Sequence, residues 1–455
     1  MGKPALPGRA LRTAALTARA PFEARFAFRS AGVVERAQRR RVGAVVAHAY
    51  EHVPYYRETM RRLGLAPGDI VVGGDLAKLP LIEREQLQRD PEYFVSRAEP
   101  RGELLELRSG GSTGEPITVC WDRRSLVAIG AYRERQRSII LRLAGRRLRY
   151  REARIVSPLD AGAATSRAFS ATAFLPQRLR VDRAYLSVLD PPAANLRRLN
   201  ELRPEVVAAY GSCLESLFAH QRATGEPFHR PKVVVYGADP LSERMRALIA
   251  EQGIEVLSAY GSIEAFNIGF ECERHRGLHL NHDLVPLRVV DADGRDAAVG
   301  ESGEVVVSNL VNRGTVLLNY RLDDLAAKLP GECPCGRSLP LISLEGRSDE
   351  WIESASGERL HPQWMRAPLS GEPGVWRYQV VQLAPGRVSV EVVPAPDIDR
   401  HETKLRLERE LEGRLGEGAR VEVEYVRTLP VSARGKVRPV MSLDARRRLE
   451  AAQRV

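Results

Sequence analysis

The chain has 455 residues, 44% hydrophobic and 28% charged, enough for a large core and for more than one folding unit. The formal net charge is +11, but arginines are scattered among acids rather than gathered into a stripe, which argues against nucleic acid as a partner. No apolar run reaches the length of a membrane span, and five unevenly placed cysteines make no disulfide framework; a cytoplasmic protein without a membrane partner is expected.

The first thirty residues, MGKPALPGRALRTAALTARAPFEARFAFRS, are basic and alanine-rich and lack the continuous apolar core of a secretory signal. They read as a frayed or weakly helical lead-in. Val33–Leu63 has helical periodicity broken by Pro54, and Tyr55 and Tyr56 are expected in a core or on a partner. Ile82–Asp90 reads as a short helix. A strand at Glu103–Arg108 runs into Ser109–Pro116, S-G-G-S-T-G-E-P, and a second short strand follows at Ile117–Cys120. Glycine allows the positive φ that aims successive N–H groups at one anion, and the hydroxyls add donors. Ser109, Gly110, Gly111, Ser112, Thr113 and Gly114 therefore read as a phosphate cradle, although a Walker A ending is absent and a surface turn is the ordinary alternative.

From Leu126 to Leu148 the pattern is helical. Strands at Arg154–Ser157, Glu205–Tyr210, Lys232–Tyr236 and Ile254–Ala259 then alternate with helices such as Ser242–Gln252. Apolar, β-branched runs separated by helices predict a mostly parallel sheet, whose ligands bind at the carboxyl ends of the strands. Gly211-Ser212, Gly237-Ala238-Asp239 and Tyr260-Gly261-Ser262 fall there. Beyond Gly277 the texture becomes β-rich, with a hairpin signal around Asp-Ala-Asp-Gly in Leu287–Val307. From Gly346 it changes again: strands at Trp376–Leu383, Arg387–Val393 and Arg420–Val426 and a helix at Thr403–Leu415 make a small α+β module. The expected fold is thus α/β: a large N-terminal domain, 1–346, with mostly parallel helix-flanked sheets plus a β-rich subdomain, and a small mobile C-terminal domain, 350–455, hinged at 347–349.

Four further stretches carry chemistry. In A-Y-G-S-I-E-A (Ala259–Ala265), Glu264 is placed beside a strand end, where a carboxylate can hold magnesium. In N-Y-R-L-D-D-L (Asn319–Leu325), paired aspartates can accept from ribose hydroxyls or cap a turn. G-R-S-D occupies Gly346–Asp349. In S-A-R-G-K-V-R (Ser432–Arg438), Lys436 offers a point charge for a phosphate or carboxylate.

Taken in order, HVPYYRE, DLAKLPLIEREQL, SGGSTGEP, AYGSIEA, GLHLNHD, GEVVVSNL, NYRLDDL, CPCGR and GRSDE resemble the adenylate-forming (AMP-binding) acyl-CoA ligase superfamily. The branch they resemble is the phenylacetate-CoA ligase-like one, which includes coenzyme F390 synthetase-type proteins, and the likeness runs from about Val45 to Val440. It implies an ATP-dependent acid–thiol ligase that forms an acyl-adenylate, releases pyrophosphate and passes the acyl group to CoA. The implied partners are ATP, Mg2+, an aryl or aryl-acetic acid and CoA, in a monomer or homodimer. Ser109–Gly114 would hold the ATP phosphates, with Thr113 among the catalytic groups. Tyr260 and Gly261 would lie near adenine, Glu264 would ligate magnesium, and Asp324 and Arg347 would meet ribose or phosphate. Asp349 would be the hinge, and Lys436 would bridge the acyl carboxylate and the α-phosphate. Gly237 and Asp239 match a nucleotide-side turn, with Asp where the family has Glu. The acyl pocket would lie between the sheet and Arg154–Leu175, with Tyr210 and Ser212 near its wall. Two departures stand out. Glu115 replaces a common lysine, and WIESASGERLHPQW lacks the glycine-rich stretch of many CoA ligases, which leaves an amine or a carrier-protein thiol as an alternative acceptor.

Cys333-Pro334-Cys335 is a tight two-thiolate turn, and Cys272 precedes His279 by seven residues. Cys272, His279, Cys333 and Cys335 would close a four-coordinate zinc site with a structural role, His275 being a substitute ligand. Cys120 and Cys213 read as core residues.

Overall fold

The computed structural model describes residues 6–109, 116–157, 160, 162–165, 168, 181–396, 398–432 and 436–447. The N-terminal stretch forms a helix, α1 (Leu6–Phe26), the helical one of the two forms expected for it. Its Glu23 is buried and receives Arg135 at 2.7 Å, while Asp283 meets the same guanidinium at 2.7 Å. The partner that fixes this helix lies more than a hundred residues away, so local sequence pattern did not reveal it.

α2 (Ala31–His52) and α3 (Pro54–Arg62) are separated where expected: Pro54 cannot continue the ladder, and Val53 is extended before it. Tyr55 and Tyr56 are buried, with Tyr56 donating to the Val316 carbonyl at 3.2 Å. After α4 (Arg84–Arg89), β1 (Leu105–Arg108) and β2 (Thr118–Trp121) form an antiparallel pair. Between those strands lies the glycine-rich octamer. Two helices follow, α5 (Arg123–Tyr132), N-capped by Asp122, and α6 (Glu134–Leu143).

The alternating half contains β3 (Arg151–Val156), β4 (Asp182–Ser187), α7 (Pro192–Leu202), β5 (Val206–Tyr210), α8 (Gly211–Thr224), β6 (Val233–Gly237), α9 (Glu243–Ala250) and β7 (Glu255–Tyr260). Strands β4, β3, β5, β6 and β7 are neighbours in that order and all parallel. The sequence reading missed β4, whose half-polar DRAYLS lacks an apolar run. The expected helix between β5 and β6 is α8, which begins at Gly211-Ser212, the pair that marked the end of β5. Antiparallel strands extend the same sheet: β8 (Gly269–Glu271), β9 (Leu278–Leu280), β10 (Leu287–Val290), β11 (Ser302–Val307), β12 (Tyr320–Lys328) and β13 (Leu341–Arg347). The eleven strands run β10-β11-β12-β13-β9-β8-β7-β6-β5-β3-β4. The parallel portion carries helices, and the antiparallel portion is the expected β-rich part.

The C-terminal portion has its own sheet and core. It comprises β14 (Ile352–Glu353), β15 (Arg359–Leu360), α10 (Gln363–Gly371), β16 (Val375–Ala384), β17 (Arg387–Pro394), α11 (Arg400–Leu415), β18 (Arg420–Tyr425) and β19 (Val440–Met441). Four strands pair in the order β18-β17-β16-β19. Val380, Val390, Val423, Leu411 and Leu415 are wholly buried among them; each such side chain contributes roughly 1.5–3 kcal/mol by leaving water. The fold class is therefore the expected one: α/β, with a large mixed sheet, flanking helices and a small C-terminal sheet domain. Among the described residues no helix is long and apolar enough to cross a membrane.

Candidate active site

The carboxyl ends of β5, β6 and β7 open into a cleft of about 3480 Å³ that the C-terminal domain also lines. Gly237 ends β6 in close backbone contact with β7, since a Cβ there would sit 2.6 Å from the Ala259 carbonyl oxygen. The next residue, Ala238, has a left-handed φ of 70° and turns the chain sharply. Asp239 then accepts from the Ser212 amide at 3.2 Å and from the Ser212 hydroxyl, and burial pushes its carboxyl up. Tyr210 and Ser212 line the cleft as expected. Of Arg154–Leu175, the other expected wall of the acyl pocket, Arg154 and Val156 line the cleft, while 158, 159, 161, 166, 167 and 169–175 lie outside the described residues.

A second group of charges lies across the cleft. The Tyr260 hydroxyl donates to Asp324 at 2.7 Å. Arg347 stands 3.2 Å from Asp324, 3.1 Å from Asp349 and 3.8 Å from Asp323. One guanidinium thus holds three carboxylates. Burial pushes Asp323 up to about 6, while Arg347 opposes the shift. Asp324 is also raised by burial against the same cation. The second oxygen of Asp349 meets Arg438 at 3.2 Å, and the Ser442 hydroxyl donates to its carbonyl at 2.6 Å. The 347–349 connector is therefore tied to residues on both sides of it.

Glu264 is buried at 6% exposure, and burial raises its carboxyl, with Arg84 pulling the other way. Its backbone carbonyl accepts from the Asn309 side chain at 2.7 Å, which fixes the turn after β7. Arg84 also donates to the Ser109 hydroxyl at 3.2 Å, and that hydroxyl accepts from the Ile117 amide at 2.9 Å. Ser109 is thus at the mouth of the cleft beside Arg84. Gly110, Gly111, Ser112, Thr113 and Gly114 lie outside the described residues. Gly261 follows Tyr260 and lines the cleft.

Lys436 reaches in from the C-terminal domain. Its Nζ is 3.4 Å from the Ala238 carbonyl and 5.2 Å from the centroid of the Tyr210 ring. The structure thus brings Lys436, Tyr210 and the Gly237–Asp239 turn together, and Tyr260, Asp324, Arg347 and Asp349 together. Arg84 and Arg438 are site residues that the sequence reading did not select, and Asp323 is the other member of the aspartate pair that it did. Arg84 sits inside the quoted LIEREQL and Arg438 inside ARGKVR, but in a chain with this many arginines neither carries a distinguishing signal.

Just after β8 and on β9, joined by the turn before β13, Cys272, His279, Cys333 and Cys335 place one donor atom each within 4.8 Å of one another. The Cys272 and Cys333 sulfurs are 3.7 Å apart, and the Cys335 sulfur is 3.3 Å from His279 Nε2. Four ligands about 2.3 Å from a tetrahedral ion would be separated by roughly 3.7 Å, so this donor set fits zinc. Burial pulls His279 down to about 4, keeping its imidazole neutral and available as a ligand. His275 is not in the cluster: its Nδ1 is 3.2 Å from Glu271. Cys120 and Cys213 are buried, as expected.

A family model for the CapK C-terminal domain matches residues 352–442. A phenylacetate-coenzyme A ligase of Thermus thermophilus is 26% identical over 445 residues, covering 89% of this chain and 96% of that protein. The phenylacetate-coenzyme A ligase of Escherichia coli is 28% identical over 339 residues, covering 69% and 71%. A 2-hydroxyisobutyryl-CoA ligase in its postadenylation state superposes with a TM-score of 0.75 at 19% identity, covering 94% and 93%. The same ligase in its thioesterification state superposes with a TM-score of 0.58 at the same identity, covering 93% of each chain. Over most of its length the chain is thus similar in sequence to phenylacetate-coenzyme A ligases, and it shares the fold of the 2-hydroxyisobutyryl-CoA ligase.

Proposed function

We propose that the protein joins a carboxylic acid to CoA at the expense of ATP, through an acyl-adenylate, and that the acid is an aryl or aryl-acetic one. A carboxylate oxygen attacks the α-phosphorus of ATP, the bond to the β-phosphate oxygen breaks, and pyrophosphate departs. The CoA sulfur then attacks the acyl carbonyl, and AMP leaves. The chemistry needs mainly positioning and charge neutralisation. The observation that carries this reading is the seat of Lys436: a lysine of the small domain, held over Tyr210 and beside Ala238, across the cleft from Asp324 and Arg347.

In this reading Lys436 neutralises the charge that develops between the carboxylate and the α-phosphate. Asp324 and Arg347 hold the ribose, Tyr260 and the Gly237 turn border the adenine, and the loop Ser109–Gly114, including Thr113, cradles the phosphates. Glu264 would hold Mg2+, which supplies positive charge to the phosphates. Cys272, His279, Cys333 and Cys335 would hold a structural zinc ion that fastens β8 and β9 to the loop before β13. The chain divides into an adenylation domain, 1–346, and a lid, 350–455, that turns about 347–349 between the two half-reactions. The higher TM-score against the postadenylation form supports reading the present lid position as that of the first half-reaction. The glycine-poor stretch after the hinge, WIESASGERLHPQW, favours as a second reading an amine or a carrier-protein thiol as acceptor.

The test is Lys436→Ala, assayed in each half-reaction. Adenylate formation should be abolished, and thioester formation from supplied acyl-adenylate should persist. Equal loss of both would refute the division of labour.

A further inference from the structure

Side chains alternate along β3, so Glu152 and Arg154 share one face while Ala153 and Ile155 pack into the core on the other. In the parallel register, Arg183 and Tyr185 of the edge strand β4 stand beside Glu152 and Arg154. Glu152 is buried. Its Oε2 accepts from Arg183 at 2.8 Å through Nε and lies 2.7 Å from Nη2, and its Oε1 is 3.1 Å from Arg154. Arg133, at the junction of α5 and α6, lines the same cleft as these residues. Burial and the two neighbouring arginines pull its pKa down to about 10, against Glu152 and Tyr185.

Two guanidiniums therefore share the Glu152 carboxylate, and Arg133 lines the same cleft without an ion pair to it. Other acids nearby are committed elsewhere: Asp160 accepts from the Tyr210 hydroxyl and the Ala163 amide, and Glu134 pairs with Arg137. Among the described residues no carboxylate forms an ion pair with Arg133. Arg133 is half-buried on the cleft wall beside two other guanidiniums, and an anion there would offset their mutual repulsion. Arg133, Arg154 and Arg183 line the same cleft as Tyr210 and Lys436.

We propose that Arg133, Arg154 and Arg183 bind a second carboxylate of the acid substrate, so that the enzyme activates a dicarboxylic acid. This rests on the adenylation reading above: one carboxylate lies at Lys436 and is activated, and the other is gripped by the forked guanidiniums, which suit a two-point contact. No extra step is added to the chemistry. The distal carboxylate is a handle that orients the molecule and rejects acids lacking it.

The test compares matched acids, phenylacetate against 4-carboxyphenylacetate and hexanoate against adipate, in pyrophosphate release by the full chain. The variants are Arg133→Gln, which leaves the Glu152 pairs intact, and Arg133→Lys. Wild type should prefer the diacid in at least one pair, and Arg133→Gln should lower the diacid-to-monoacid ratio of kcat/KM by about 10- to 100-fold, with partial recovery in Arg133→Lys. A proportional loss for both acids would overturn the proposal. So would an unchanged ratio with a raised KM for CoA, which would assign the cluster to CoA phosphates. Binding of the diacids without ATP, read by calorimetry, separates this idea from the adenylation reading. Diacid binding that depends on Arg133 without pyrophosphate release leaves the site standing and fells the reaction. No binding and no release fells both.

Discussion

On the lid motion proposed above, a buried contact between the C-terminal and large domains would hold the closed arrangement, and breaking it should slow one half-reaction selectively. Arg377 on β16 places Nε 3.6 Å from Glu215 on α8, with the side chains only 9% and 13% exposed. Glu215 also accepts from the Ser242 amide at 2.9 Å, so it is anchored to the large domain. Burial pulls the Arg377 pKa down and pushes the Glu215 carboxyl up, each opposed by its partner's charge. At this distance the attraction is about 4–5 kcal/mol at an effective dielectric of 20 and about 1 kcal/mol in water. Removing one member of a buried pair generally costs about 3–5 kcal/mol. Here Arg377 Nε makes no hydrogen bond, and Glu215 can take up a proton, so Arg377→Met should cost about 1.5–3 kcal/mol. The partners belong to different domains, so the loss falls on the closed arrangement. Adenylate formation should slow by roughly 10- to 100-fold, at a factor of ten per 1.4 kcal/mol. The thioester step from supplied acyl-adenylate should hold its rate. Stopped assays of each half-reaction check this; an equal drop in both, or no drop in the first, would refute the latch.

Three other substitutions test separate parts of the account. Asp323 has a folded-state pKa of about 6, above its ordinary value, so the native state binds the proton more tightly and stability falls as pH rises from about 4 to 6. Asp323→Asn should therefore stabilise the ligand-free protein by about 1–2 kcal/mol at pH 7.5 and by little at pH 4; its φ of 59° suits asparagine. Thermal unfolding at the two pH values decides it, and an equal gain at both would be contrary. Gly237→Ala must displace the turn, because the new Cβ meets the Ala259 carbonyl at 2.6 Å. We expect about a 100-fold loss of adenylation with near-native circular dichroism; unchanged activity would mean that the turn does not border the reacting atoms. Purified protein should carry about one zinc per chain, and Cys333→Ser should lose it and melt several degrees lower. A metal-free wild type with the same melting temperature as the variant would remove zinc from the account.

Much of this was legible in the sequence for identifiable reasons. β5, β6 and β7 are short apolar runs ending in glycine or a small polar pair, and those ends became the floor of the cleft. Tyr260 and Asp324 were singled out separately, and the structure joins them by a 2.7 Å hydrogen bond across 64 residues of sequence. The four zinc-type ligands were selected by spacing, and geometry removed His275 by turning it toward Glu271. What stayed hidden depends on long-range charge pairing. The α1 helix looked like a weak lead-in because its anchor is Arg135. Arg84, Arg438 and Arg377 were lost among the many arginines, where composition masks function. The edge strand β4 escaped because three of its six residues are charged or tyrosine, which breaks the apolar run.

The central claim is tested most directly by pyrophosphate release from Mg-ATP across a panel of aryl, alkyl and dicarboxylic acids, with and without CoA. The account predicts release that depends on one class of acid, is stimulated by CoA and is lost in Lys436→Ala. Silence with every acid, or release indifferent to the acid supplied, would contradict it.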